Sequence, residues 1–482
     1  MIKKYSIIFS AILILVSSFG FSQESPGKKK SEIIILHTND MHSKIDNMAK
    51  LAYLADSLRK FNPYVFLVSA GDNFTGNPVV DMIPDPGYPM IDLMNRCGFN
   101  LSALGNHEFD MGQAFLNKRL DQAGFPFVSC NVDPLDAVMH PLKPYFVLGT
   151  KNGDSLAFLG LIQLDENGLP SSHPSKMAGI RFTNGLTKAP EYAWLKDRYK
   201  ILIGLSHLGV DDDIRLAGSM QQFDLIIGGH SHTLLEKPLM EQNVMIVQAG
   251  SNLRYIGKTT LVIEEGVLTD RRYEVIALAD LTKEDAGVRK LIDQYNNNKE
   301  FSKVIGVAEK PFSGLDELGS LMTDALTSQL KVDFAFQNKG GIRLNELQEG
   351  NITLKDVYKL DPFNNQVVVL KMNVAEMASL ICYGYKLEKD LDLQVSGMTY
   401  TITDDGNYQC ADVKMFDLAG KPLDNSREYT VAMNNYMAVT YKFIHRDQGN
   451  TTDLTTAGAL IHFLTDKKTV NYSGVKRAFV VR

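Results

Sequence analysis

The sequence predicts an α/β protein of more than one domain. Three observations carry this reading. At 482 residues the chain is longer than a single ordinary core supports. From Glu32 onward, short runs rich in Ile, Val and Leu alternate with stretches of helical spacing, the rhythm of buried strands and their connecting helices. Five of these apolar runs end in Asp, Asn or His, and in open α/β sheets ligands bind at the carboxyl ends of strands. With 44% hydrophobic and 22% charged residues the composition is that of a soluble globular protein. The formal net charge of −6, without a basic stretch interleaved with aromatics, argues against a nucleic acid polymer as partner.

In chain order, Lys3 and Lys4 precede an apolar run from Ile7 to Val16, and small residues follow to Ser22, with Gly20 and Ser22 spaced as a cleavage signature. Residues 1–22 read as a secretory signal peptide, too short to span a bilayer, so no stable membrane insertion is expected after cleavage and the mature protein is expected to be periplasmic or secreted. Residues 23–31, polar and Lys-rich, read as a disordered leader. The alternating rhythm defines a first domain over 32–278, with Met48, Leu51, Leu54, Ala55 and Leu58 at helical spacing. Residues 279–302 read as a linking helix through Val288, Leu291, Ile292 and Tyr295. A second region over 303–482 has its own strands, Gln366–Leu370 and Tyr429–Met433 among them. Cys97, Cys130, Cys382 and Cys410 are few and widely spaced; export permits disulfides, and buried free thiols fit equally.

The chemistry concentrates after the strands of the first domain. The runs end in His37-Thr38-Asn39-Asp40-Met41-His42, Gly71-Asp72-Asn73, Gly105-Asn106-His107-Glu108-Phe109-Asp110, Ser206-His207 and Gly228-Gly229-His230-Ser231-His232. Any one of these pairs is more often structural than ligating. Six of the ten histidines fall in them, however, and that joint placement favours a metal centre. Carboxylate and imidazole without thiolate suit Zn, Mn, Co or Fe. Seven ligands exceed the need of one tetrahedral ion, so two divalent cations are expected, a carboxylate bridging them as in hydrolytic two-metal sites. Glu108 reads as a hydrogen-bond partner of nearby backbone. Asp110 also reads as a helix N-cap, because Met111 to Ala123 looks helical.

The order Asp-x-His, Gly-Asp-Asn, Gly-Asn-His-Glu, His, Gly-His-x-His resembles the calcineurin-like metallophosphoesterases, and within them the 5′-nucleotidase and UDP-sugar hydrolase family. Gln248-Ala249-Gly250 with Tyr255-Ile256-Gly257, Asn338-Lys339-Gly340-Gly341-Ile342-Arg343 and Pro362-Phe363-Asn364-Asn365 extend the resemblance over almost the whole mature chain. It implies a four-layer αββα N-terminal sandwich followed by a C-terminal α/β substrate-binding domain. It implies Asp40, His42 and His232 on one metal, Asn106, His207 and His230 on the other, and Asp72 between them. His107 and Asp110 match the family's catalytic pair, and His37 at most supports the ligands from outside. Asn338, Gly340, Gly341, Arg343, Phe363 and Asn365 would bind substrate, Arg343 by gripping phosphate. The expected activity is hydrolysis of small phosphate esters, 5′-nucleotides first, with cyclic nucleotides and nucleotide sugars in the same class.

The chain departs from the family where a nucleobase would stack. Asp392 stands where an aromatic ring is expected before Leu393-Gln394-Val395-Ser396-Gly397, and the Gly-Gly-Asp-Gly segment expected after Ala438 is missing. Tyr436, Tyr441 and Phe443 are the nearby rings that could substitute. Two alternatives therefore stand beside the nucleotidase: the same two-metal core acting on a non-nucleotide phosphate or a sulfur ester, and a non-catalytic metal-dependent binding protein. The complete ligand set with His107 counts against the last.

Overall fold

A computed structural model of the protein describes residues 30–363 and 365–481. The signal peptide and most of the expected leader lie outside the described residues. The first strand, Lys30–Thr38, opens two residues before the expected domain boundary at 32. Lys30 already pairs with Glu264, and the Ser31 hydroxyl donates to Asp154 at 2.7 Å.

Two six-stranded sheets form the first domain. One runs in the order Val267–Ala277, Tyr255–Glu264, Lys30–Thr38, Val65–Ser69, Leu101–Ala103, Phe127–Val128. The other runs Leu239–Glu241, Val244–Val247, Leu225–Ile227, Ile201–His207, Ser155–Ile162, Tyr145–Gly149. Strands joined through helices pair in parallel, as crossover connections require. The period of two decides which side chain goes where. Ile33, Ile35, Val68, Ile203, Leu205 and Leu225 fill the space between the sheets. Ile34 and Leu36 point the other way, onto helices Met48–Arg59 and Tyr88–Cys97. Leu202 and Ile226 do the same on the second sheet, beneath helix Val210–Ser219. The result is the expected four-layer αββα sandwich.

Within 279–302 the helix covers only Ala286–Asn296, with the Asp285 side chain accepting from Val288 N–H at its start. Val288 and Ile292 are buried against the outer core of the first sheet, so this helix belongs to the first domain's outer layer rather than spanning free between domains. The second domain is built on a five-stranded mixed sheet in the order Leu393–Ser396, Phe334–Asn338, Tyr429–Asn434, Gln366–Met372, Asn450–Thr455. Helices Gly314–Leu330, Val374–Glu388 and Thr456–Lys467 cover it. A disulfide joins Cys382 on the second of these helices to Cys410 on strand Cys410–Asp417, while Cys97 and Cys130 are buried free thiols. No helix among the described residues is long and apolar enough to cross a membrane.

Candidate functional site

The carboxyl ends of five strands, drawn from both sheets, meet at one edge of the sandwich. There the chain must turn sharply while aiming a side chain inward. Asp40, His42, Asp72, His230 and His232 all adopt left-handed backbone, with φ between 47° and 76°. Non-glycine residues rarely do so, and each costs free energy that the surrounding fold must supply. Two glycines permit the crowding. A Cβ on Gly105 would collide with the Asp72 carboxylate, and one on Gly71, whose φ is +92°, would sit 2.9 Å from His207 Nδ1.

All seven expected ligands converge. His42 Nε2 lies 2.9 Å from His232 Nε2, which lies 3.5 Å from Asp40 Oδ1. His207 Nε2 lies 3.1 Å from Asp72 Oδ2 and 3.8 Å from Asp40 Oδ1. His230 Nδ1 lies 3.1 Å from Asn106 Oδ1, and its backbone N–H donates to both Asp40 oxygens at 3.1 Å. Ligand atoms of Asp40, His42 and His232 fall within 4.8 Å of one another, as do those of Asp40, Asp72 and His207.

The electrostatics fit cations. Burial lowers the pKa of His42 well below its ordinary value, that of His230 to about 3 and that of His232 to about 4, leaving neutral imidazoles. His207 gives its Nδ1–H to the Ala70 carbonyl at 2.7 Å, which aims the buried Nε2 at the carboxylates. Burial opposes charge on His207, yet Asp72 and Asp40 outweigh it and raise its pKa to about 10. Two buried carboxylates thus draw positive charge into a set of oxygen and nitrogen donors with no sulfur, which suits borderline divalent cations.

Beside the cluster, His107 Nδ1 lies 2.6 Å from Asp110 Oδ2, while its backbone N–H donates to Asp72 Oδ1 at 2.9 Å. Burial works against an imidazolium here; Asp110 and Asp72 overcome it and raise the His107 pKa. Asp110 is not a helix N-cap. The helix starts at Gln113 behind Gly112, two residues later than the cap would require, because both Asp110 oxygens are engaged, the second by the Ser172 hydroxyl at 2.8 Å. Glu108 does what its position suggested: it accepts from the backbone N–H groups of Asp72 (3.0 Å), Asn73 (2.7 Å) and Gly105 (2.5 Å), tying two ligand loops together. His37 stands apart, stacked on Tyr273 with ring centroids 6.0 Å apart, and burial lowers its pKa to about 3.

The second domain faces this cluster across a cavity of about 1680 Å³. Asn338, Gly340, Gly341, Arg343, Phe363 and Asn365 all line it. Arg343 Nη2 comes within 3.5 Å of His42 Nε2, and its guanidinium lies 5.6 Å over the Phe363 ring. Phe363 in turn stacks on His107, with centroids 5.8 Å apart. Arg343 forms no ion pair among the described residues, and burial lowers its pKa. Asp392 is buried and does not face the cavity. It accepts from the Tyr441 hydroxyl at 2.7 Å and the Lys339 N–H at 3.0 Å, and burial raises its pKa to about 6. Of the candidate replacement rings, Tyr436 and Tyr441 line the cavity. Phe443 instead stacks on His445 at 4.6 Å. Tyr383, which no sequence signal marked because it sits among the core-facing residues of its helix, joins them 5.1 Å from Tyr441 at 55°.

Comparison with known proteins agrees with this arrangement. The family model for calcineurin-like phosphoesterase matches residues 33–234, and that for the 5′-nucleotidase C-terminal domain matches residues 304–441. The chain is 27% identical over 469 residues to the trifunctional nucleotide phosphoesterase protein YfkN of Bacillus subtilis, covering 84% of this chain but only 32% of that much longer protein. It is 27% identical over 457 residues to a 5′-nucleotidase of Vibrio cholerae, covering 80% of this chain and 81% of that one. Its fold matches a 5′-nucleotidase precursor from Thermus thermophilus with a TM-score of 0.81 at 24% identity, over 94% of this chain and 100% of the other. With both domain models matched in order over most of the chain, the chain belongs to the 5′-nucleotidase family, with an N-terminal calcineurin-like phosphoesterase domain.

Proposed function

We propose that the protein is an exported phosphoesterase with two divalent cations, and that it hydrolyses small phosphate esters, 5′-nucleotides foremost. Asp40, His42 and His232 would hold one cation, Asn106, His207 and His230 the other, and Asp72 would bridge them. Cations in such a site neutralise phosphoryl charge and activate water for attack. The observation that carries the reading is Arg343: a half-buried guanidinium with no ion pair among the described residues, facing the ligand cluster across the domain interface. A guanidinium held beside the cluster presents paired donors to an anion, and a phosphoryl group seated between the domains provides one. His107, with Nδ1 engaged by Asp110, turns Nε2 toward the cavity and offers a proton or positive charge to the leaving oxygen. Export is supported by the signal-like N-terminus and by the Cys382–Cys410 bridge, which persists in oxidising compartments.

One observation favours a second reading, in which the leaving group is not a nucleoside. Tyr383 and Tyr441 stand 5.1 Å apart, less than the roughly 7 Å that two stacking gaps need, and the Tyr441 hydroxyl is tied to Asp392. A base would then find one open ring face rather than a slot.

A substrate panel separates the two. AMP, a 2′,3′-cyclic nucleotide, a UDP-sugar and an aryl phosphate are assayed with added Mn, Zn and Co. A preference of a hundredfold or more for AMP over the aryl phosphate supports the nucleotidase. Equal rates support the broader phosphatase, and no turnover with any metal rejects both. N-terminal sequencing of secreted protein tests export, with Gln23 expected as the first residue.

A further inference from the structure

Strand Ser155–Ile162 runs out at the metal edge into a loop, residues 163–173, to which the roles above assign nothing. Its base is tied to both halves of the site. The Gln163 N–H donates to the His207 carbonyl at 3.0 Å. At the other end the Asn106 side-chain amide donates to the Ser171 carbonyl at 3.1 Å. The buried Ser172 hydroxyl donates to Asp110 Oδ1 at 2.8 Å, opposite the oxygen that engages His107. In between, the Asp165 carboxylate closes a turn by accepting from Asn167 N–H at 2.7 Å, and Leu169 packs into the first domain's outer core. The apex then leaves that domain. Asn167 Nδ2 donates to the Thr440 carbonyl at 3.3 Å, and Lys442 Nζ donates to the Glu166 carbonyl at 3.2 Å, both partners lying on the second domain.

We infer that Ser172 is a positioning residue for the His107–Asp110 pair, and that loop 163–173 makes its grip depend on the seating of the second domain. A carboxylate held at one oxygen is free to swing, and the imidazole bonded to it swings too. A second hydrogen bond at the other oxygen removes that freedom. The Ser172 hydroxyl supplies this bond, and its own place is set by a loop pinned at the base to His207 and Asn106 and at the apex to Thr440 and Lys442. Were the second domain displaced, the apex contacts would be lost and only the base would hold Ser172. The inference rests on the phosphoesterase reading for its kinetic arm, but not for its spectroscopic one.

The test uses the zinc-loaded enzyme, diamagnetic and so readable by NMR, with p-nitrophenyl phosphate as substrate, and proton NMR of the downfield His107 Nδ1–H resonance. Ser172→Ala should lower kcat roughly tenfold, the lower end of what outer partners contribute, with KM and bound zinc unchanged. Ser172→Thr, which keeps the hydroxyl, should restore most of the rate. In an Asp110→Asn background the Ser172→Ala loss should shrink to less than about twofold, because the two act through one bond. The resonance should shift or exchange faster in Ser172→Ala, and to a smaller degree in the apex variant Asn167→Ala with Lys442→Ala. An unchanged kcat, a full additional loss on top of Asp110→Asn, or an unmoved resonance overturns the role of Ser172. An apex variant indistinguishable from wild type overturns the coupling to the second domain. If wild-type protein turns over no phosphate ester while the resonance still responds to Ser172→Ala, the phosphoesterase reading fails and the positioning inference stands.

Discussion

Replacing Arg343 with Ala separates a substrate grip from a structural prop. The guanidinium lies 3.5 Å from His42 Nε2 and 5.6 Å over Phe363, half-buried and with no ion pair among the described residues. Binding a phosphoryl oxygen through a charge-assisted hydrogen bond is worth roughly 1.5–3 kcal/mol. At about 1.4 kcal/mol per decade, kcat/KM should fall roughly ten- to a hundredfold. The contact holds the bound substrate as well as the transition state, so KM should rise more than kcat falls. Stability should respond far less. In the substrate-free protein the half-buried guanidinium gives up only its 3.5 Å contact to His42 and the stacking on Phe363, about 1 kcal/mol. The melting temperature should stay within about 5 °C of wild type. Steady-state kinetics, metal analysis and calorimetry on one preparation decide the matter. An unchanged KM would refute the grip. A melting temperature lower by more than about 5 °C would show that Arg343 holds the domains together by itself.

Three further outcomes are expected. Asp72→Ala removes a carboxylate within reach of both His207 and His107, so metal content and activity should collapse together; two ions per chain with near-normal turnover would reject the bridge. His107→Ala should keep its metal and lose roughly 10²–10⁴-fold in kcat, whereas metal loss like that of His207→Ala would make His107 a ligand. Burial pushes the Cys97 and Cys130 thiols up to about 12, so a thiol reagent should find none reactive in the native protein, two after denaturation and four after reduction; a reactive native thiol would contradict the packing.

Much of the centre was legible in the sequence because its two signals coincide. An apolar run marks each strand, and the residue types that bind cations follow immediately at its carboxyl end. Asp40, Asp72, Asn106, His207 and His230 could be named from that alone, and the structure brings them within a few ångströms. Glu108 was legible as a backbone partner, since a buried carboxylate needs donors and the ligand turns supply them. What could not be read depends on long-range packing. Ser172 lies 62 residues from Asp110, in a loop of Ser, Asn, Glu and Pro with no periodicity. Asn167 meets Thr440 across 273 residues. Spacing among four cysteines does not choose a pair, and nothing local distinguishes Tyr383 from the buried residues of its helix. Asp392 was seen to interrupt the aromatic pattern, but its bond to Tyr441, which removes both groups from easy use, depends on the fold.

The left-handed turns have a consequence for anyone who would transplant this centre. Five of the seven proposed ligands reach their positions through backbone that side-chain identity does not specify. Copying two aspartates and three histidines onto the strand ends of another sheet would give the right chemistry on peptides that relax to ordinary φ, with each imidazole aimed elsewhere. The transferable unit is the whole turn, with Gly71, Gly105 and the Glu108 carboxylate that keeps neighbouring turns in register. A library that varies only ligand residues would search the wrong space, whereas one that varies the turn glycines would find the mutations to which the site is least tolerant.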